Sequence, residues 1–271
     1  MDISDNIATN YKGEKIRCIL NLFYEPVDTT RNLVEHNKDW FVPLHGGHAN
    51  PTFSNEWMQS HLVGDDTGDN ISNLNSRLNE NTSIYWVWKH YDDPVVGNPD
   101  WIGFNHYRRY FDRNKILDLM SENKGKLDMI VSASNHFQVS VLQQYAYFHF
   151  VEDMYKLESV VPKSDVGSFR RYLQQDTMYA PAYLFFMKKD DFFEWCEYAF
   201  PIMFDLLDLI DTTGRNMYNK RAICFLVERL FGFFVVKKIE QDHRTVIATP
   251  AIFDEGAKSQ KIIQHELNTI Q

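Results

Sequence analysis

His106-Tyr107-Arg108-Arg109 puts an imidazole and two guanidiniums within four residues, directly after an apolar run that begins at Trp101. Arg presents a rigid fork of donors that matches phosphate oxygens, so the cluster suits a doubly charged diphosphate. Adjacent side chains of an extended segment point to opposite sides. Arg108 and Arg109 therefore reach one phosphate together only if the chain turns there. The expectation is one arginine in the site and the other in a structural ion pair. The plainer alternative is a strand end whose arginines both pair with surface carboxylates.

Three other groupings could do chemistry. Gly64-Asp-Asp-Thr-Gly-Asp-Asn-Ile-Ser72 combines two glycines, which allow tight backbone geometry, with acceptors on Asp65, Asp66, Asp69 and Asn70. It reads as a solvated turn or as a loop that binds ribose or sugar hydroxyls. Calcium is disfavoured, because the twelve-residue EF-hand spacing and its final Glu are missing. Glu228-Arg229 lies on a late helical pattern. The pair either faces solvent or supplies Glu228 as a general base or acceptor-hydroxyl ligand. His149 and Asp153 stand four apart with Glu152 between them, which suits a structural ion pair better than a metal site. Gly-x-Gly-x-x-Gly, Walker, Gly-x-Ser-x-Gly and His-Glu-x-x-His patterns are all missing. Asp-x-Asp is missing too, and Glu240-Gln-Asp242 is the nearest approach.

The elements that must position these groups follow from periodicity. Trp101, Ile102 and Phe104, bounded by Pro99-Asp100, predict a short strand buried on both faces, as in a parallel sheet covered by helices. His106, Arg108 and Arg109 then sit just past its carboxyl end, where open α/β sheets bind ligands. Further strands are expected at Arg17–Tyr24, Trp40–Leu44, Leu127–Ser134, Ala182–Met187 and Phe233–Ile239. A helix is expected at Asn73–Tyr91, with Ile84, Val87, Trp88 and Tyr91 on one buried face. Others are expected at Ile116–Asn123, Val141–Val160 and Ser164–Gln174. A long one should open near Asp191 and kink at Pro201. The last, Asn219–Phe231, should stop at Gly232. Residues 45–73 read as a long loop. Strand, helix, strand at these spacings is the βαβ pattern. One α/β domain is expected over residues 1–271, with its core at about 15–240. Residues 241–271 would form a C-terminal extension, as a docking helix or tail over 257–271.

With 271 residues, 44% apolar and 15% aromatic, the chain can bury a substantial core. Its net charge of −9 argues against a general nucleic-acid binder. Cys18, Cys196 and Cys224 are odd in number and each sits in an apolar pattern, so they read as buried free thiols in a reducing compartment. The start shows no basic n-region or apolar h-region, and no run reaches the ~18 apolar residues of a membrane span. The expectation is a soluble cytoplasmic protein.

Asp65-Asp66-Thr-Gly-Asp-Asn-Ile-Ser72, Trp86-x-Trp88-Lys89, Ile102-Gly103-x-x-His106-Tyr-Arg-Arg-Tyr-Phe111 and Glu228-Arg229-Leu230 occur in this order and spacing. Together they resemble the DUF4422 family, found in bacterial capsule and O-antigen gene clusters and regarded as glycosyltransferases. The likeness covers roughly residues 15–240. It implies a single GT-A-like, Rossmann-related domain with a mostly parallel central sheet and a helical C-terminal part. It also implies a nucleotide-diphospho-sugar donor, UDP-linked by preference, and transfer of a hexosyl residue; some members are associated with galactofuranose. The acceptor would be a lipid-linked or oligosaccharide chain of a growing surface polysaccharide, with peripheral attachment at the inner membrane face as an option. In the GT-A fold the strand after an early helix normally ends in Asp-x-Asp; here His106 to Arg109 take that place. Metal-independent transfer is therefore expected, with His106, Arg108 and Arg109 on the donor diphosphate and no cofactor. Asp65, Asn70 and Tyr107 are the expected donor-sugar or ribose ligands. Asp69, Asp66 and Glu228, in that order, are the candidate bases. Two features depart from the family pattern: Asn105 precedes His106, and Phe23-Tyr-Glu-Pro26 replaces a Thr-His-Lys-like end of the first strand. A non-catalytic carbohydrate- or nucleotide-binding scaffold of the same fold is the alternative.

Overall fold

The computed structural model describes residues 7–254. The tail expected over 257–271 lies outside them. In chain order the elements are β1 (Ile16–Leu22), α1 (Asp28–His36), β2 (Phe41–His45), α2 (Glu56–His61), β3 (Val63–Gly64), α3 (Asn75–Leu78), α4 (Asn81–Lys89), β4 (Trp101–His106), β5 (Arg109–Tyr110) and α5 (Arg113–Glu122). There follow β6 (Met129–Ser132), β7 (Asn135–His136), α6 (Val141–Phe148), α7 (Val151–Val160), α8 (Val166–Leu173), β8 (Thr177–Met178), β9 (Phe185–Lys188), α9 (Lys189–Leu209), α10 (Ala222–Glu240), β10 (Val246–Thr249) and β11 (Ile252–Phe253).

The main sheet runs β10-β6-β9-β4-β1-β2-β3. Strands β4, β1, β2 and β3 are parallel neighbours, and β9 lies antiparallel between β4 and β6. β4 is buried on both faces, as its apolar run predicts. Leu20, Trp101 and Phe186 pack in one core with residues of α1, α2 and α5. Ile19, Ile102 and Phe104 pack in the other, with α4, α9 and α10. The result is a three-layer α/β arrangement in which alternating strand residues serve opposite cores. The three cysteines are buried and free.

Several expectations need correction. The loop over 45–73 contains α2, whose Asn55 cap accepts the Met58 amide at 2.8 Å, and the short edge strand β3. The helix expected over Asn73–Tyr91 is split at Asn79, which adopts φ +44°, a conformation Asn tolerates better than most residues. The helix expected over Val141–Val160 is also two. His149 is extended at the break, and its ring stacks on Tyr218 (5.4 Å) and Phe225 (4.2 Å). His149 and Asp153 thus share no helical face, and Asp153 instead makes a two-pronged pair with Arg215.

α9 continues through Pro201 as one helix. α10 runs on through Gly232 to Glu240, over the stretch expected to be a strand. The first four residues of that stretch, Phe233–Val236, are buried all round, and a short apolar run of this kind does not distinguish strand from buried helix. Gly232 is there for close approach: a Cβ would stand 2.2 Å from Tyr172 Oη and 2.8 Å from the Tyr179 carbonyl. Pro181–Tyr183 is a tight turn, so the strand expected from Ala182 begins only at Phe185. Finally, β10 pairs in parallel with β6, and β11 pairs with β5. Residues 246–253 therefore help build the carboxyl end of the sheet.

Candidate active site

β4 ends at His106, and the chain turns through Tyr107-Arg108 so that Arg109 pairs back against His106. This hairpin sends the two arginines to different places. Arg109 is exposed, lies 5.2 Å over the Phe253 ring, and lines a cavity of about 550 Å³ together with Ser132, Gln144, Ala182, Glu228 and Phe253. Arg108 lies 5.0 Å over the Tyr107 ring. Tyr107 in turn clusters with Phe23 (6.0 Å) and Tyr24 (6.4 Å) past the end of β1. The Thr30 hydroxyl fixes this turn by donating to the Tyr107 carbonyl at 2.5 Å. Among the described residues neither arginine forms an ion pair with a carboxylate. The structural ion pair expected for one of them is a cation–π contact instead.

His106 is not a cation. Its Nε2 stands 2.9 Å from the Ala182 carbonyl, which can only accept, so Nε2 carries the proton and donates. Burial, only partly offset by that hydrogen bond, pulls the imidazole down to about pKa 4, and nearby Arg109 adds to the effect. The ring is neutral near pH 7, with one nitrogen already committed to the backbone. The expectation of a third positive group for a diphosphate is corrected accordingly.

The residue His106 holds is unusual. Ala180, Ala182 and Tyr183 all have positive φ (49°, 61° and 55°). Each such non-glycine residue costs on the order of 1–3 kcal/mol and persists only where its surroundings fix it. Here they do. Ser132 Oγ donates to the Pro181 carbonyl, His106 to the Ala182 carbonyl, and the Ala182 amide donates to Glu228 Oε1 at 2.5 Å. Strain of this kind collects where a site must be held in one shape.

α10 supplies Glu228 and Arg229, and both line the cavity. Arg229 is buried, donating to the Phe225 carbonyl (3.0 Å), to Glu228 Oε2 (2.8 Å) and to Gln144 Oε1 (2.8 Å). The solvent-facing alternative for this pair is thereby replaced. Glu80, which the sequence did not single out, lies within electrostatic reach of Glu228 and Arg221. Burial raises its carboxyl to about pKa 7.

The Gly64–Ser72 loop lies elsewhere. It follows edge strand β3, three places from β4 in the sheet order. Asp65 is fully buried, and its oxygens accept from the Gly47 and His48 amides (both 3.0 Å), Ser72 Oγ and Thr82 Oγ1 (2.7 Å). It is a tie between loops. Asp66 meets His48 at 2.9 Å, and Asp69 accepts from the Tyr85 hydroxyl at 3.0 Å. Asn70 closes its own turn, donating to the Gly68 carbonyl and accepting from the Ser72 amide. None of the four lines the cavity. The structure thus joins His106, Arg109 and Glu228, sets Tyr107 and Arg108 beside them toward β1, and leaves the acidic loop outside the cavity lining.

Among the described residues no three His, Cys, Asp or Glu side chains converge as a metal site, and no helix is long and apolar enough to cross a membrane. The cavity residues that sequence reasoning missed include Ser132, Gln144, Ala182 and the 250–253 segment. The only local signal was Tyr179-Ala-Pro-Ala-Tyr183, small residues and a proline ahead of a strand.

Sheet order, the antiparallel β9 and the cavity at the carboxyl ends of the strands define a GT-A-like α/β protein. A solved structure of the WbbM bifunctional glycosyltransferase in its apo form has this fold, with a TM-score of 0.73 and 23% identity over 89% of this chain. This chain spans 45% of that one. The DUF4422 model, described as a domain of unknown function, matches residues 29–239, and the chain belongs to that family. No curated protein matches.

Proposed function

We propose that the chain is a glycosyltransferase that moves a hexosyl residue, with galactofuranosyl the first candidate, from a nucleotide-diphospho-sugar, UDP-linked by preference, to a growing surface polysaccharide. The observation that carries this reading is one cavity holding an exposed guanidinium, Arg109, that pairs with no carboxylate among the described residues, and a carboxylate on a fixed helix, Glu228.

In the proposed reaction the acceptor hydroxyl gives its proton to Glu228 as its oxygen bonds to the anomeric carbon. The bond from that carbon to the diphosphate breaks with its electron pair. Negative charge grows on the diphosphate, where Arg109 stabilises it. Groups aimed at developing charge commonly supply about 3–4 kcal/mol each. His106 contributes by holding the Ala182 turn, and Tyr24 and Tyr107 offer ring faces to the nucleoside past β1. In this reading Arg109 carries the role that a divalent metal fills in Asp-x-Asp enzymes, and Arg108 binds the donor from the β1 side. The work is placed at the inner face of the membrane, on a lipid-linked or oligosaccharide acceptor.

The test is nucleoside diphosphate release from UDP-, GDP- and CDP-hexoses after thorough EDTA treatment, beside a thermal-shift series with the three nucleotides. Release that persists in EDTA supports the reading. An absolute metal requirement removes the metal-independent step. Nucleotide binding without release from any donor leaves a binding scaffold.

A further inference from the structure

Four exposed aromatic rings occupy nine consecutive residues where α6 gives way to α7: Tyr147 (71% exposed), Phe148 (50%), Phe150 (47%) and Tyr155 (56%). Monomer surfaces seldom keep such apolar clusters without a binding role. Two of these rings adjoin the cavity-lining face of α6. Gln144 lines the cavity, and Tyr147 and Phe148 follow Gln144 at i+3 and i+4, on the same side of α6. The platform is also built to stay put. A capping box between Ser140 and Gln143 starts α6. At the far end Arg215 sits 4.7 Å over Phe150 while gripping buried Asp153 with both terminal nitrogens.

The chemistry favours one occupant. Between Tyr147 and Tyr155 the ionisable side chains are Glu152, Asp153 and His149, with no Lys or Arg. Asp153 is spent on Arg215, and burial keeps His149 uncharged near neutral pH. The two cations against the corner, Arg215 over Phe150 and Lys156 beside Tyr155, both pair with Asp153, and Glu152 adds a negative charge, so an anionic lipid surface would gain little electrostatic attraction here. Flat rings with hydroxyls at their rim instead match the C–H faces and hydroxyl edges of sugars.

We propose that the α6–α7 corner is the platform for a neutral oligosaccharide chain, which stacks on Tyr147, Phe148, Phe150 and Tyr155 while its end enters the cavity. Only the entry of that end into the cavity rests on the glycosyltransferase reading.

Binding is tested without turnover, by saturation-transfer NMR with linear hexasaccharides of galactose and of glucose. The proteins compared are the unaltered chain, the double variant Tyr147→Ala/Phe148→Ala, and Arg109→Ala. The expected result is transfer to sugar ring protons in the unaltered chain and in Arg109→Ala, with affinity weakened roughly 10- to 100-fold in the double variant, since each of the two ring contacts is worth a factor of roughly 3 to 10. Both replaced rings are exposed, so the melting temperature should not move, and it serves as the folding control. Absence of transfer from both hexasaccharides, or equal transfer in the double variant, overturns the proposal. So does binding to phosphatidylethanolamine–phosphatidylglycerol vesicles that the double substitution abolishes while sugar binding stays unchanged. Sugar binding without nucleoside diphosphate release would leave the platform standing and remove the transferase reading.

Discussion

Glu228 Oε1 accepts the Ala182 amide at 2.5 Å, so a carboxylate on α10 holds a left-handed residue on the far side of the cavity. Its other oxygen takes Arg229. A carboxylate offers about four lone-pair sites, so two donors leave room for an acceptor hydroxyl. Glu228→Gln keeps an acceptor for Ala182 but turns an amide donor toward Arg229. We expect a stability loss of about 1–2 kcal/mol and a fall in transfer of about 10²–10⁴-fold. Denaturant titration and nucleoside diphosphate release measure the two. Transfer within a few-fold of the parent would remove Glu228 as the base.

The two arginines should separate in kinetics. Arg109→Ala takes a guanidinium out of the cavity and should cost about 10²–10³-fold in turnover. Arg109→Lys should recover part of it, having the charge without the fork. Arg108→Ala loses a cation–π contact worth roughly 0.5–1 kcal/mol, and its effect should fall mainly on donor KM. Equal losses from both substitutions would show that they act on one phosphate.

Acid should weaken the fold through two histidines. Burial lowers His106 to about pKa 4 and His149 to about 3, against 6.5 for the free side chain. Below 6.5 the unfolded chain takes up protons that the folded one refuses, so stability falls as pH drops toward those values. A loss of about 5 kcal/mol at most, down to about pH 4.5, is expected for the pair. His149→Phe keeps the ring stacked on Phe225 and Tyr218 and should flatten the profile. An unchanged slope in urea-midpoint measurements would count against the assignment.

Glu80 works in the opposite direction. Its folded pKa of about 7 lies above the free value of 4.5. The folded state therefore holds the extra proton, and its stabilising effect is lost as pH rises from about 4.5 through 7. Glu80→Gln should be neutral in acid and stabilising above pH 7, by on the order of 2 kcal/mol. Stability curves for the parent and the variant that run parallel from pH 5 to 8 would refute this.

Gly232 should tolerate no side chain. Helix propensity alone would make Gly232→Ala favourable by about 1 kcal/mol. The new methyl would instead meet the Tyr172 hydroxyl and the Tyr179 carbonyl inside a closed core. A net loss of about 1–3 kcal/mol is expected, read as a lowered melting temperature. A raised one would mean that α8 and the turn at Tyr179 yield easily.

The amino-acid sequence alone determined the central strand, because Trp101, Ile102 and Phe104 are contiguous and their burial follows from a local run. It placed the cationic turn after that strand for the same reason, and its ordered motifs marked the family. It misjudged Phe233–Ile239, where an apolar run satisfies either secondary structure until packing chooses. The acidic loop looked functional because its carboxylates are clustered. Only the fold shows Asp65 consumed by four donors and the loop three strands away. The pairing of Glu228 with Ala182 spans 46 positions and that of His106 with Ala182 spans 76. No local pattern encodes contacts at that range. They exist because α10 packs beside the turn and β9 inserts antiparallel next to β4, and those placements depend on burying both faces of the sheet at once.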